Sequence, residues 1–121
     1  MELIKIMKPD FVCNDDRGLL VQISREGFKQ VNAVFSKAEK VRGNFHYHKI
    51  NDETFYIISG KVKVTVELED QKEEHIFLSG NMFMIKKNVR HKFEHLEDSY
   101  LVVLYNNGVE LENDQKDIYY D

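Results

Sequence analysis

Cysteine and proline each occur once in the 121 residues, as Cys13 and Pro9. A lone thiol forms no intrachain disulfide, and a reducing cytosol is the expected compartment. Pro9 precedes the first clear strand signal and marks no linker. Long apolar runs are missing. Phe55-Tyr56-Ile57-Ile58 and Leu101-Val102-Val103-Leu104 are far shorter than the ~20 residues that cross a bilayer, so no membrane span is expected. Near the N-terminus Glu2, Lys5, Lys8 and Asp10 break up any apolar stretch, and no signal-peptide pattern emerges. There is no basic block. The net charge of −4 comes from interspersed signs, which excludes the electrostatic footprint of a nucleic-acid binder. No segment carries a sustained helical period, and no repeat of solenoid or propeller length is found.

What the chain has in quantity is alternation. Val62, Val64, Val66 and Leu68 interleave with Lys61, Lys63, Thr65 and Glu67, the period-two pattern of a strand with one wet face. Val31, Ala33 and Phe35 mark an earlier strand, and residues 19–23 another. Segments 74–78, 82–85, 91–95 and 100–105 complete the set. Turn residues punctuate the chain at 15–18, 25–27, 59–60, 69–71, 79–80 and 106–108. Short strands at even spacing predict an all-β, antiparallel sandwich or small barrel. One domain is expected over residues 1–121, with a core barrel at about 17–106 and an acidic tail at 110–121. Within that tail Ile118-Tyr119-Tyr120 is apolar enough to dock on the body or on a partner subunit.

The histidines carry the chemistry. His46 and His48 stand at alternate positions, so a strand aims both imidazoles at one face. Glu53 reaches the same cavity from the next strand and His91 from a distant hairpin. Phe55 and Ile57 share the parity of Glu53 and are expected on the cavity wall, whereas Phe45 and Tyr47 face away. His95 shares the parity of His91 and is either a group behind the site or a surface strand residue. His75 lies in a charged run and reads as solvated. Arg42, Lys49 and Arg90 are candidate partners for an anionic substrate group such as a pyrophosphate.

These spacings resemble a known family. Gly43, His46-x-His48, Glu53 and Gly60 look like the first cupin motif, and Gly80, Lys86, Asn88 and His91 like the second. His95 stands where the second motif commonly has asparagine. The resemblance implies a jelly-roll β-barrel, with homodimers common among relatives. A finer likeness is carried by Asp15-Asp16-Arg17-Gly18-Leu19-Leu20, similar to the opening of the dTDP-sugar 3,4-ketoisomerases. Val41-Arg42-Gly43-Asn44-Phe45-His46-Tyr47-His48-Lys49 resembles segments of those enzymes, of the dTDP-4-dehydrorhamnose 3,5-epimerases and of the cupin domain of capsular-polysaccharide reductases. The resemblance implies action on a nucleotide-linked 4-keto sugar in cell-surface polysaccharide or deoxysugar biosynthesis. The base histidine of the epimerases would match His46, and the two pocket histidines of the ketoisomerases His46 and His48. The chain carries one extra residue between Gly43 and His46, and the epimerases' catalytic tyrosine finds no matching position.

Two chemistries use these side chains differently. In the first, His46, His48, Glu53 and His91 ligate a divalent ion, Zn, Fe, Mn or Ni. In the second there is no metal, and His46 removes a proton next to a ketone while His48 or a tyrosine steadies the developing oxyanion. A histidine whose lone pair is on a metal cannot act as the base, so tight metal binding at His46 excludes the second scheme. Three functional classes follow: a nucleotide-sugar epimerase or isomerase, a metal-dependent cupin dioxygenase or isomerase, and a non-catalytic cupin that binds a sugar or metabolite.

Overall fold

A computed structural model describes residues 2–120. Eleven strands run through them: β1 (Ile4–Met7), β2 (Phe11–Asp15), β3 (Gly18–Gln22), β4 (Gln30–Ser36), β5 (Val41–His46), β6 (Glu53–Ser59), β7 (Lys61–Leu68), β8 (Gln71–Leu78), β9 (Met82–Ile85), β10 (Arg90–His95) and β11 (Ser99–Tyr105). A single 3₁₀ turn, Glu112–Asp114, is the one helical element among the described residues. No helix there is long and apolar enough to cross a membrane.

Two antiparallel sheets face each other. One has the order β1-β9-β6-β11-β4 and the other β5-β10-β7-β8, while β2 and β3 form a separate hairpin. From β5 onward the chain mostly changes sheet at each turn, the crossing pattern of a jelly roll. The expected all-β antiparallel architecture is therefore what the chain adopts. The barrel was expected to begin near residue 17, and the structure starts it earlier. Leu3 and Ile4 are buried in the core, and β1 pairs with β9. Four residues with two alternations, Ile4-Lys5-Ile6-Met7, are too few to stand out as a period.

The core fills the β9–β8 side of the sandwich. Val62, Val64 and Val66 are fully buried, while Lys61 before them and Lys63 between the first two keep partial contact with water. Phe77 stacks on Phe83 with ring centroids 3.9 Å apart, and Phe55 meets Phe93 at 4.8 Å. Each such side chain contributes about 1.5–3 kcal/mol on burial. This packed half leaves the opposite half, toward the edge strands β4 and β5, free to hold a cavity.

The β2–β3 hairpin stands apart from this core. Phe11, Val12, Leu19 and Leu20 on it are all exposed.

Candidate functional site

The cavity has a volume of about 490 Å³ and takes its walls from both sheets. β4 gives Asn32 and Val34; β5 gives Arg42 and His46. From β10 come His91, Phe93 and His95, three alternate residues of one face. Tyr105 ends the corresponding row on β11 and lies opposite Glu53 of β6.

The strand carrying the histidine pair is not regular. On β5 Arg42 pairs with Phe93 and His46 with His91, so four positions on one strand match two on the other. The excess is taken up by a bulge in which Gly43 (φ 67°) and Phe45 (φ 59°) enter the left-handed region. The extra residue seen in the sequence is thus absorbed, and Arg42 and His46 both still reach the cavity. The pairing also explains why Gly43 is glycine. A Cβ there would lie 2.9 Å from Cε1 of His46.

Beyond β5 the chain turns, and His48, Glu53 and His91 are each only 3% exposed. One ligand atom from each of His46, His48, Glu53 and His91 lies within 4.8 Å of every other. The four residues singled out by spacing therefore converge. Glu53 Oε1 faces Nε2 of His48 directly and lies 3.2 Å from Nε2 of His91. The other nitrogens of these rings face backbone carbonyls: His48 Nδ1 lies 2.5 Å from the Asp117 carbonyl, and His91 Nδ1 3.4 Å from that of Val89. A carbonyl only accepts, so both Nδ1 atoms carry hydrogen. In neutral rings the Nε2 lone pairs then point at one carboxylate oxygen. That contact is repulsive unless the imidazoles take up a second proton or a cation lies between. The donor set fits a divalent ion: two fixed tautomers, a carboxylate and the buried Nδ1 of His46, which has no hydrogen-bond partner among the described residues.

Electrostatics follow from this crowding. Burial and the neighbouring His91 lower the His46 pKa to about 4, so its ring is neutral near pH 7. Burial also opposes a charge on His48, but hydrogen bonding to Glu53 and that carboxylate's charge outweigh it and raise the pKa. At Glu53 burial favours the acid form. The charge of His91 and the hydrogen bonds from His48 and His91 overcome it and hold the carboxyl below the usual range. Burial, then the charge of Glu53, pushes the Tyr105 phenol up, and it stays protonated.

The remaining expectations divide. Arg42 lines the cavity; its Nε donates to Ser36 Oγ at 2.5 Å and its terminal nitrogen to the Phe35 carbonyl. Lys49 and Arg90 are not part of the lining. Arg90 neighbours inward-facing His91 and so points outward, with its guanidinium over Tyr47, and the Lys49 ammonium sits 4.2 Å from the Tyr119 ring centroid. Tyr47 does face away, against Tyr119. Phe55 lines the cavity, whereas Ile57 belongs to the core. His95 is no surface residue. It is 1% exposed and ends the inward row of β10. His75 is half-buried beside Glu73, at 3.1 Å.

Sequence reasoning missed Asp117. The acidic tail folds back, Tyr119 pairs with Tyr47 through both backbone hydrogen bonds, and Asp117 is wholly buried. Its carboxylate accepts from the Lys49 and Ile50 amides (2.8 and 3.1 Å) and from Asn51 Nδ2 (2.9 Å). It thereby fixes the turn that follows His48. No local pattern marks this role, because the partners lie 66–68 positions away in the chain. Tyr105 was also passed over, although its parity with Leu101 and Val103 points it inward.

No curated protein matches the chain. Among solved structures, a 3,4-ketoisomerase from Helicobacter canadensis is similar with a TM-score of 0.79 and 22% identity, over 98% of this chain and 90% of that one. The TDP-quinovose 3,4-ketoisomerase from Campylobacter jejuni gives 0.79 and 19%, over 97% and 94%. A dTDP-4-dehydrorhamnose 3,5-epimerase from Sulfolobus tokodaii gives 0.71 and 22%, over 84% and 69%. At such identities the likeness speaks to the fold. The cupin domain model matches residues 36–105, more than half of the chain and both histidine motifs, and the chain belongs to the cupin family.

Proposed function

We propose that this cupin is an enzyme that isomerises or epimerises a nucleotide-linked 4-keto sugar, in cell-surface polysaccharide or deoxysugar biosynthesis. The observation that carries the reading is the pairing of opposite acid–base states in one cavity. His46 is neutral with its lone pair available, and the Tyr105 phenol is held protonated. Enolisation next to a ketone needs a proton acceptor and a donor to the enolate oxygen. A base as weak as His46 leaves much of the work to stabilising that oxygen. Tyr105, on the cavity wall, is the donor at hand, while both ring nitrogens of His48 are taken up by Glu53 and the Asp117 carbonyl. Arg42 on the cavity wall suits a phosphate oxygen. The solved structures of similar fold include sugar-nucleotide 3,4-ketoisomerases and a 3,5-epimerase, which supports the substrate class.

The test is turnover of dTDP-4-keto-6-deoxyglucose followed by proton NMR, with solvent deuterium entering beside the ketone. His46→Ala with its melting temperature intact is expected to abolish the exchange. A panel of dTDP- and UDP-sugars that neither turns over nor raises the melting temperature of the wild-type protein refutes the reading.

A second reading is favoured by the two fixed tautomers at Glu53. In it His46, His48, Glu53 and His91 hold Zn, Fe, Mn or Ni, which would supply Lewis acidity. Stoichiometric metal by elemental analysis would support it, and a metal-free protein whose melting point ignores all four ions would refute it.

We also propose a homodimer. The exposed Phe11, Val12, Leu19 and Leu20 of the hairpin, and the exposed Val31 and Phe35 on edge strand β4, are apolar surface suited to a second copy.

A further inference from the structure

His95 has a feature that neither acid–base scheme uses. It is almost completely buried, yet both ring nitrogens lack a hydrogen-bond partner among the described residues. An imidazole in that state is costly to keep in a core unless something outside the fold completes it. Its backbone is fully engaged: the amide donates to the Lys40 carbonyl and its own carbonyl accepts from Glu39. The ring alone is left over, and it faces the cavity.

Its position along β10 gives the geometry. His91, Phe93 and His95 alternate on one face, so His95 lies about 13 Å from His91 along the strand. The cavity thus has two polar poles. One is the cluster of His46, Glu53, His91 and Tyr105. The other is His95, with Arg42 near enough to add its field. Between them lies an apolar waist of Phe55, Phe93 and Val103. Burial and the Arg42 charge keep His95 neutral, so it offers one N–H donor and one acceptor.

We propose that His95 is a ligand-binding residue at the far pole of the cavity, where its imidazole hydrogen-bonds a hydroxyl of a sugar ring whose apolar face packs on Phe93. This rests on the nucleotide-sugar reading. It adds a contact that sets which hydroxyl pattern is accepted, at a residue that need not touch the reacting atoms.

The experiment compares wild type with His95→Leu, similar in volume and without polar atoms, and His95→Gln, which keeps a donor and an acceptor. Titration calorimetry with dTDP and with dTDP-glucose gives the preference for the sugar-bearing ligand, and scanning calorimetry gives the ligand-free melting temperature. Expected for His95→Leu are an unchanged or higher melting temperature, a sugar preference reduced about tenfold, and unchanged affinity for dTDP. His95→Gln should recover most of the preference. An unchanged preference in His95→Leu overturns the proposal. So does a lowered melting temperature that His95→Gln restores together with the preference, because that marks a structural residue. If wild type binds neither ligand, the nucleotide-sugar reading falls and the ligand-free melting temperature decides the role of His95. A fall in His95→Leu then overturns the proposal, and a rise upholds an unfilled binding group.

Discussion

Replacing Asp117 removes one buried acceptor that three donors share. In Asp117→Ala the Lys49 and Ile50 amides and the Asn51 side chain lose their partner. A hydrogen bond to a charged acceptor contributes about 1.5–3 kcal/mol, which sets a ceiling of about 4.5–9 for three. Lys49 and Ile50 are exposed enough for water to recover part of this, and Asn51 keeps its bond to the Gly108 carbonyl. A loss of about 3–5 kcal/mol remains. For a domain of this size each kcal/mol moves the melting temperature by about 3–5 °C, so a drop of about 10–20 °C is expected by scanning calorimetry. Asp117→Asn keeps one oxygen and should lose about half as much. Asp114→Ala, an exposed carboxylate in the same tail, should stay within about 0.5 kcal/mol of wild type. Turnover should fall with Asp117 even below the melting transition, because the carbonyl that orients His48 Nδ1 belongs to the same residue. A melting temperature within about 3 °C of wild type for Asp117→Ala would show that the tail merely rests on the body.

Other expectations follow from single contacts. Gly43→Ala puts a methyl group 2.9 Å from Cε1 of His46 in a left-handed backbone, so turnover should fall at least tenfold while circular dichroism stays native. Gly60→Ala meets Ser99 Oγ at 2.4 Å and the Asp98 carbonyl at 2.5 Å with φ at 104°, and should cost about 3 kcal/mol or more in urea unfolding. His46 and His95 both have lowered pKa values in the folded state, so each contributes stability that is present above about pH 6.5 and lost on the acid side, for His46 as pH falls toward 4. The acid-side slope of a stability–pH curve should flatten in His95→Leu. Leu19→Asp with Leu20→Asp should halve the mass seen by sedimentation if the hairpin covers a second copy.

The fold was legible because alternation was long where it mattered. Eight residues of β7 declare both their strand and their buried face, and the four-residue β1 does not. The histidine cluster was legible for a different reason. His46, His48 and Glu53 are close in sequence, so parity and one turn bring them together, and the second motif adds His91. What parity cannot see is a bulge or a tail. The left-handed Gly43 and Phe45 break the alternation within the motif, yet His46 and His48 still meet because the turn after His48 is tied down from residue 117. His95 was ambiguous for the same physical reason as Arg90 and Lys49. Parity tells which face of β10 a side chain takes, and only the opposite sheet decides whether that face is covered.

The two readings of the cluster differ in one atom-level condition, the partner of the Nε2 lone pairs at Glu53. Backbone carbonyls set the Nδ1 hydrogens of His48 and His91, so neither ring can turn a neutral donor toward the carboxylate. If a proton fills the gap, His48 is an imidazolium, and its raised pKa makes the ion pair a source of stability that fades as pH climbs through the folded value. If a divalent ion fills it, the ligands must be deprotonated, and binding strengthens over the same rise in pH. The two conditions therefore predict opposite slopes on the neutral-to-alkaline side. A melting curve that falls with pH and ignores added Zn, Fe, Mn or Ni assigns the cluster to proton transfer. One that rises with pH only when metal is present, and no longer does so in Glu53→Gln, assigns it to the ion.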